Sequence, residues 1–123
     1  MTDIMANAKK HFRDQISGSL KGPIEVPEWG TDGQPVEVYY KAKINFNQMN
    51  EIVNLQANGK ILESIVTSLI IRCLDEDGKP LFRKANKTEM MRGFDPDVMI
   101  RVSTDMGDTY GDLGALDDED MGN

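Results

Sequence analysis

Pro35-Val36-Glu37-Val38-Tyr39-Tyr40-Lys41-Ala42-Lys43-Ile44-Asn45-Phe46-Asn47-Gln48-Met49-Asn50-Glu51-Ile52-Val53 changes the period of its apolar residues partway along. Before Lys43, Val36, Val38 and Tyr40 alternate with Glu37 and Tyr39, the period of a strand with one buried face. After it, Phe46, Met49, Ile52 and Val53 recur at helical spacing. Asn45 followed three residues later by Gln48 has the pattern of a capping box at the start of that helix. The switch predicts an α+β fold: strands up to about residue 42, then a small helical bundle over 45–106.

Upstream, Ile24 and Val26 alternate with Glu25 in the same way, and Asp32-Gly33 is the two-residue signature of a tight hairpin turn. A hairpin over 24–42 follows. Pro23 and Pro27 have no N–H to give to a ladder, which confines the first strand to an edge or cuts it short. Trp29, near the end of that strand, reads equally as an interface anchor or as a residue at the rim of the core.

Downstream, the first helix ends at Asn58-Gly59. A second, from Lys60 to Leu74, carries two apolar stripes, Ile61/Ile65/Leu69/Cys73 and Leu62/Val66/Ile70/Leu74, with Ser64, Ser68 and Arg72 marking its expected wet face. It is the expected core helix, and the lone Cys73 is an expected buried thiol. Asp75-Glu76-Asp77-Gly78-Lys79-Pro80-Leu81-Phe82 predicts a turn that folds Leu81 and Phe82 back onto the core. Its glycine and its twelfth position, Asn86, do not fit a calcium loop. Lys87-Thr88-Glu89-Met90-Met91-Arg92 predicts a short helix. Asp95 as cap and Pro96 at the first helical position open another, with Val98, Met99, Val102 and Met106 on one side.

At the other end of the chain, Ile4, Ala8, Phe12 and Ile16, with Met5 beside them, predict an amphipathic helix over about 3–17, capped by Thr2 and stopped by Gly18. This helical arm, residues 1–22, is expected to pack on its own domain, with a neighbouring molecule as the alternative. Residues 1–104 carry 14 acidic and 14 basic side chains, so the net charge of -7 resides entirely in 105–123. Seven acids and no Lys or Arg, punctuated by glycines, predict a flexible acidic tail over 107–123. The domain organisation expected is one domain over 1–106 followed by that tail.

Charge and composition exclude several functions. Basic residues are dispersed among acids rather than gathered in a phosphate-neutralising stripe, which argues against nucleic acid as partner. Leu69-Ile70-Ile71 is far shorter than a membrane span of about 20 residues, and no secretory signal pattern is present. The expected location is the cytoplasm. His11 is the only histidine and sits in an ordinary amphipathic helix, so neither a zinc site nor a histidine-based triad can be assembled. No phosphate-binding glycine motif occurs. No catalytic, cofactor or metal residues are predicted, and the work expected of the chain is binding.

The order of parts resembles a bacteriophage tail assembly chaperone. Ile24-Glu25-Val26-Pro27-Glu28-Trp29-Gly30 ahead of a Val-Tyr strand, a helical pair, Leu74-Asp75-Glu76-Asp77-Gly78-Lys79-Pro80-Leu81-Phe82, and Asp95-Pro96-Asp97-Val98 opening a last helix carry the likeness over about residues 23–106. It does not extend to the N-terminal helix or the acidic tail. The resemblance implies a small non-enzymatic protein of the host cytoplasm that coats the tape measure protein, helps recruit tail tube subunits and leaves before the virion is finished. Such a role needs adaptable apolar surface, which eight methionines supply. The expected protein-binding residues are Trp29, Val38, Tyr40, Met49, Met90, Met91 and Met99, and self-association is expected from the edge strand and the terminal helix. The alternatives are a permanent virion component, such as a head-tail joining or tail-end protein, or an acidic inhibitor.

Overall fold

The computed structural model describes residues 3–17 and 20–107. Helix α1 (Ile4–Ser17) is followed by strands β1 (Leu20–Thr31) and β2 (Gln34–Lys41), helices α2 (Phe46–Ala57) and α3 (Ile61–Arg72), and a two-residue strand β3 (Cys73–Leu74). A 3-10 turn (Lys84–Asn86) then leads into α4 (Lys87–Gly93) and α5 (Pro96–Asp105). The expected α+β class is the one observed: helices with a small antiparallel sheet. The acidic segment 108–123 and the expected end signals Thr2 and Gly18 lie outside the described residues. At the start of α1 the Asp3 carboxylate accepts from the Ala6 N–H at 3.0 Å.

The hairpin forms about the predicted turn, but its first strand is longer than expected: it begins at Leu20, within the segment read as the helical arm, because Leu20 and Lys21 find partners in Lys41 and Tyr40, and the prolines do not cut it short. Thr31 pairs with Gln34 across Asp32 and Gly33, whose φ angles of 52° and 77° are those of a type I′ turn. Gly30 is needed for close approach, since a Cβ there would lie 1.8 Å from the Gln34 carbonyl oxygen. Val26 and Val38 are fully buried, while Glu25 and Glu37, a facing pair in the ladder, stay exposed. The sheet order is β1-β2-β3, so β1, with its two prolines, is an edge.

Strand β3 is a correction to the sequence reading. The core helix ends at Arg72, not at Leu74, because Cys73 and Leu74 turn extended and pair with Tyr40 and Tyr39. Two residues of strand carry no periodicity of their own, so only the neighbouring ladder selects this conformation. Cys73 is buried, as expected.

The supposed wet face of α3 is also wrong. Residues Ser64 through Ile70 are buried without a break, together with Arg72. Ser64 donates its hydroxyl to the Ile61 carbonyl at 2.5 Å, which removes the need for water. Arg72 donates Nε to the Lys41 carbonyl at 3.0 Å and Nη2 to the Met106 carbonyl at 2.8 Å, and its guanidinium lies 5.7 Å from the centre of the Tyr40 ring. Beyond its first turn, where Leu62 of the expected apolar stripe stays 37% exposed, the helix is thus covered by α2, α4 and α5, while β3, continuous with its end, joins it to the sheet.

The remaining elements follow their local signals. Asn45 and Gln48 form the capping box of α2, with bonds of 2.8 and 3.1 Å. Asp95 caps α5 by accepting from the Asp97 N–H, with Pro96 next in the chain. Val98, Met99, Val102 and Met106 turn inward from α5. In the turn after β3, the Asp75 carboxylate accepts from the N–H groups of Asp77 and Lys79, both at 2.9 Å, and Leu81 and Phe82 return to the core. Over the part of helix α1 whose side chains are described, Asp3 to Asp14, every residue is exposed, so the apolar stripe of Ile4, Met5 and Ala8 stands open to solvent, with Phe12 the least exposed of the large apolar residues at 36%. Among the described residues, no helix is long and apolar enough to cross a membrane.

Two substitutions in α3 test this account. Leu69→Ala, at a position with no solvent exposure, is expected to cost about 2–5 kcal/mol in urea unfolding. Thr67→Val should raise stability by about 1 kcal/mol, since the buried Thr67 hydroxyl has no hydrogen-bond partner among the described residues. A loss of stability in Thr67→Val would mean that the hydroxyl is bonded after all.

Candidate functional site

Trp29, Phe82 and Phe94 come from three separate segments and meet as one cluster. Trp29 and Phe82 stand edge to face with centroids 5.7 Å apart and planes at 86°, and Phe82 and Phe94 do likewise at 5.8 Å and 70°. Trp29 and Phe94 are tilted at 53°, 5.6 Å apart. In the two edge-to-face pairs the positive edge of one ring meets the negative face of the other, which ties the trio together. All three are half-buried, so they form a rigid aromatic face at the border of the core rather than a sealed interior.

Two concavities share this face. One, of about 310 Å³, is lined by Trp29, Val36, Leu81, Phe82 and Phe94 and has no charged residue in its wall. The other, of about 380 Å³, is lined by Glu28, Trp29, Gly93, Phe94, Asp95 and Val98. The arrangement suits docking of a partner's apolar side chains into the first, with a polar or basic neighbour directed to the carboxylates of the second.

The rim is braced by one ion pair between β1 and α5. Both guanidinium nitrogens of Arg101 meet the two oxygens of Glu28, at 2.7 and 2.6 Å. This fork holds the Glu28 carboxyl at about 2, far below its ordinary value of 4.5, and raises Arg101 in turn. A second pair, Lys87 to Glu63 at 2.7 Å, ties α4 to α3 and lowers the Glu63 carboxyl.

The residues expected from sequence to bind a partner separate by depth. Trp29 lies in the aromatic face; Met49 on α2 and Met91 on α4 are exposed. Val38, Met90 and Met99 are enclosed in the core and can act only by supporting the surface from behind. Tyr40 is half-buried against Arg72. Sequence reasoning missed Val36, Leu81, Phe82 and Phe94 as site residues, and the Glu28–Arg101 pair. Phe94 did carry a signal, since it stands just before the cap Asp95, where an apolar residue often folds back on the helix. No local pattern links Glu28 to Arg101. Among the described residues, no group of three His, Cys, Asp or Glu is placed to hold a metal ion.

Because the folded carboxyl of Glu28 is depressed, its pairing is complete above about pH 4.5 and is lost as pH falls toward 2. Carboxyl NMR should therefore show Glu28 titrating near 2 in the native protein. In Arg101→Ala the midpoint should return toward 4.5; a midpoint that stays low would assign the depression to another group.

Compared with known protein families, with curated proteins and with solved structures, the chain matches none.

Proposed function

We propose that this chain is a non-enzymatic assembly factor, a phage tail assembly chaperone that binds the tape measure protein and helps recruit tail tube subunits. One observation carries the reading. The segments on which the resemblance rests, those around Trp29, Phe82 and the Asp95 cap, contribute the side chains of a single aromatic face. A sequence pattern spread over some seventy residues is then explained by one docking surface. A helical client is held there by apolar contacts, which salt does not screen. The acidic residues beyond Thr104 add long-range attraction or solubility, not the principal hold.

The test is co-expression with the tape measure protein and capture on a tagged chain. Residues 1–106 should retain the client, and about 0.5 M salt should not release it. Trp29→Ala together with Phe82→Ala should reduce capture at least about tenfold while Met49→Ala leaves it in place. Release by salt, or loss of capture on truncation, would make the acidic segment the binding element. Finding the protein in purified virions by mass spectrometry would favour a permanent tail component.

A further inference from the structure

Two apolar stripes on this chain stand open to solvent, and neither covers the other. On α1, Ile4, Met5, Ala8 and Phe12 share one side of the helix, with Ile4 74% and Met5 68% exposed. On α2, Phe46, Met49 and Val53 recur at i, i+3 and i+7, exposed by 80%, 49% and 45%. Each stripe is anomalous for a solvated helix. A 14-residue helix whose described apolar residues, Ile4, Met5, Ala8 and Phe12, are all exposed is marginal in water, so α1 requires cover. The outward side of α2 is bordered by Asn47, Asn50 and Asn54, and the helix has one charged residue, the half-buried Glu51. Exposed apolar residues in a setting stripped of charge mark the centre of an interface, not a wet face.

We infer that two copies of this chain exchange helices: α1 of each packs along the outward side of α2 of the other, giving a two-fold dimer. Area selects this occupant. Pairing the α1 stripe only with the α1 stripe of another copy would leave the α2 stripes open, whereas α2 offers an apolar side with no Lys or Arg. The exposed parts of Ile4, Met5, Phe12, Phe46, Met49 and Val53 together amount to roughly 700 Å², taking about 200 Å² for a whole large apolar side chain. One such contact is smaller than a stable interface, while the reciprocal pair of contacts doubles it to about 1,400 Å², within the usual range. A two-fold exchange also closes on itself and leaves neither stripe open. The dimer does not depend on what the aromatic face binds.

Sedimentation of the full-length chain from about 1 to 100 μM tests the idea. A concentration-dependent dimer is expected, and Phe12→Ser and Phe46→Ser should each weaken it at least about thirtyfold. Both residues are solvent-facing, so the melting curve of the variants at low concentration should be unchanged, and that control separates lost docking from lost folding. Ala8→Cys and Asn50→Cys chains, mixed and oxidised, should cross-link to one another in preference to themselves. Three results would overturn the inference: a monomer at every concentration, a dimer indifferent to both serine substitutions, or a cross-link that forms only inside a chain carrying both cysteines. The last would mean that α1 covers its own α2.

Discussion

Burying one helix beyond its first turn is the constraint from which the rest of this structure follows. From Ser64 to Ile70 no side chain of α3 reaches solvent freely, and Arg72 at its end is buried as well. A helix enclosed in this way needs a neighbour in each direction, and α2, α4 and α5 supply them while β3 carries its end into the sheet. Its polar groups then have to be answered from within. Ser64 turns its hydroxyl back on the helix, and Arg72 spends its donors on carbonyls at the end of β2 and the end of α5. Arg72 therefore locks together three elements that are far apart in sequence. A lysine, with no planar fork to reach two carbonyls and lie over Tyr40, would not substitute for it.

The aromatic face is a by-product of that enclosure with a use of its own. Trp29 is brought in by the edge strand, Phe82 by the chain returning from the Asp75 turn, and Phe94 by the junction between two helices that cover α3. Their rings fill the border of the core and line two concavities that stay open. Rigid aromatic groups lose little entropy on meeting a partner, and they present area without needing to rearrange. The Glu28–Arg101 fork holds β1 against α5 beside them, so the face keeps its shape.

Elsewhere the molecule leaves apolar surface without cover. The stripes of α1 and α2 are longer than an isolated exposed residue and are ordered at helical spacing, which separates them from the ordinary scatter of apolar atoms on a protein surface. The aromatic face and the α2 stripe are distinct in composition: one gathers three large rings beside a charged rim, the other sets a single ring, Phe46, in line with Met49 and Val53 and is bordered by amides. That difference fits two separate docking events rather than one extended contact.

Local patterns were enough to determine the elements whose cause is local. The change of period near Lys43, the Asp32-Gly33 turn, the Asn45–Gln48 box and the Asp95-Pro96 start all act within four residues, so each was legible and each formed as read. Prolines in β1 placed it at an edge for an equally local reason, a missing N–H. Of the candidate site, only Trp29 was named from the sequence; Met49 and Met91, named with it, are exposed but line neither concavity. What tertiary structure alone decided is everything set by contact across the chain. Ser64, Ser68 and Arg72 look like a wet face until α2, α4, α5 and the end of β2 close over α3. Cys73 and Leu74 continue a helical stripe until Tyr39 and Tyr40 offer them a ladder. Glu28 finds Arg101 across 73 positions of sequence, and no propensity or period carries information over that separation; only the packing of β1 against α5 does.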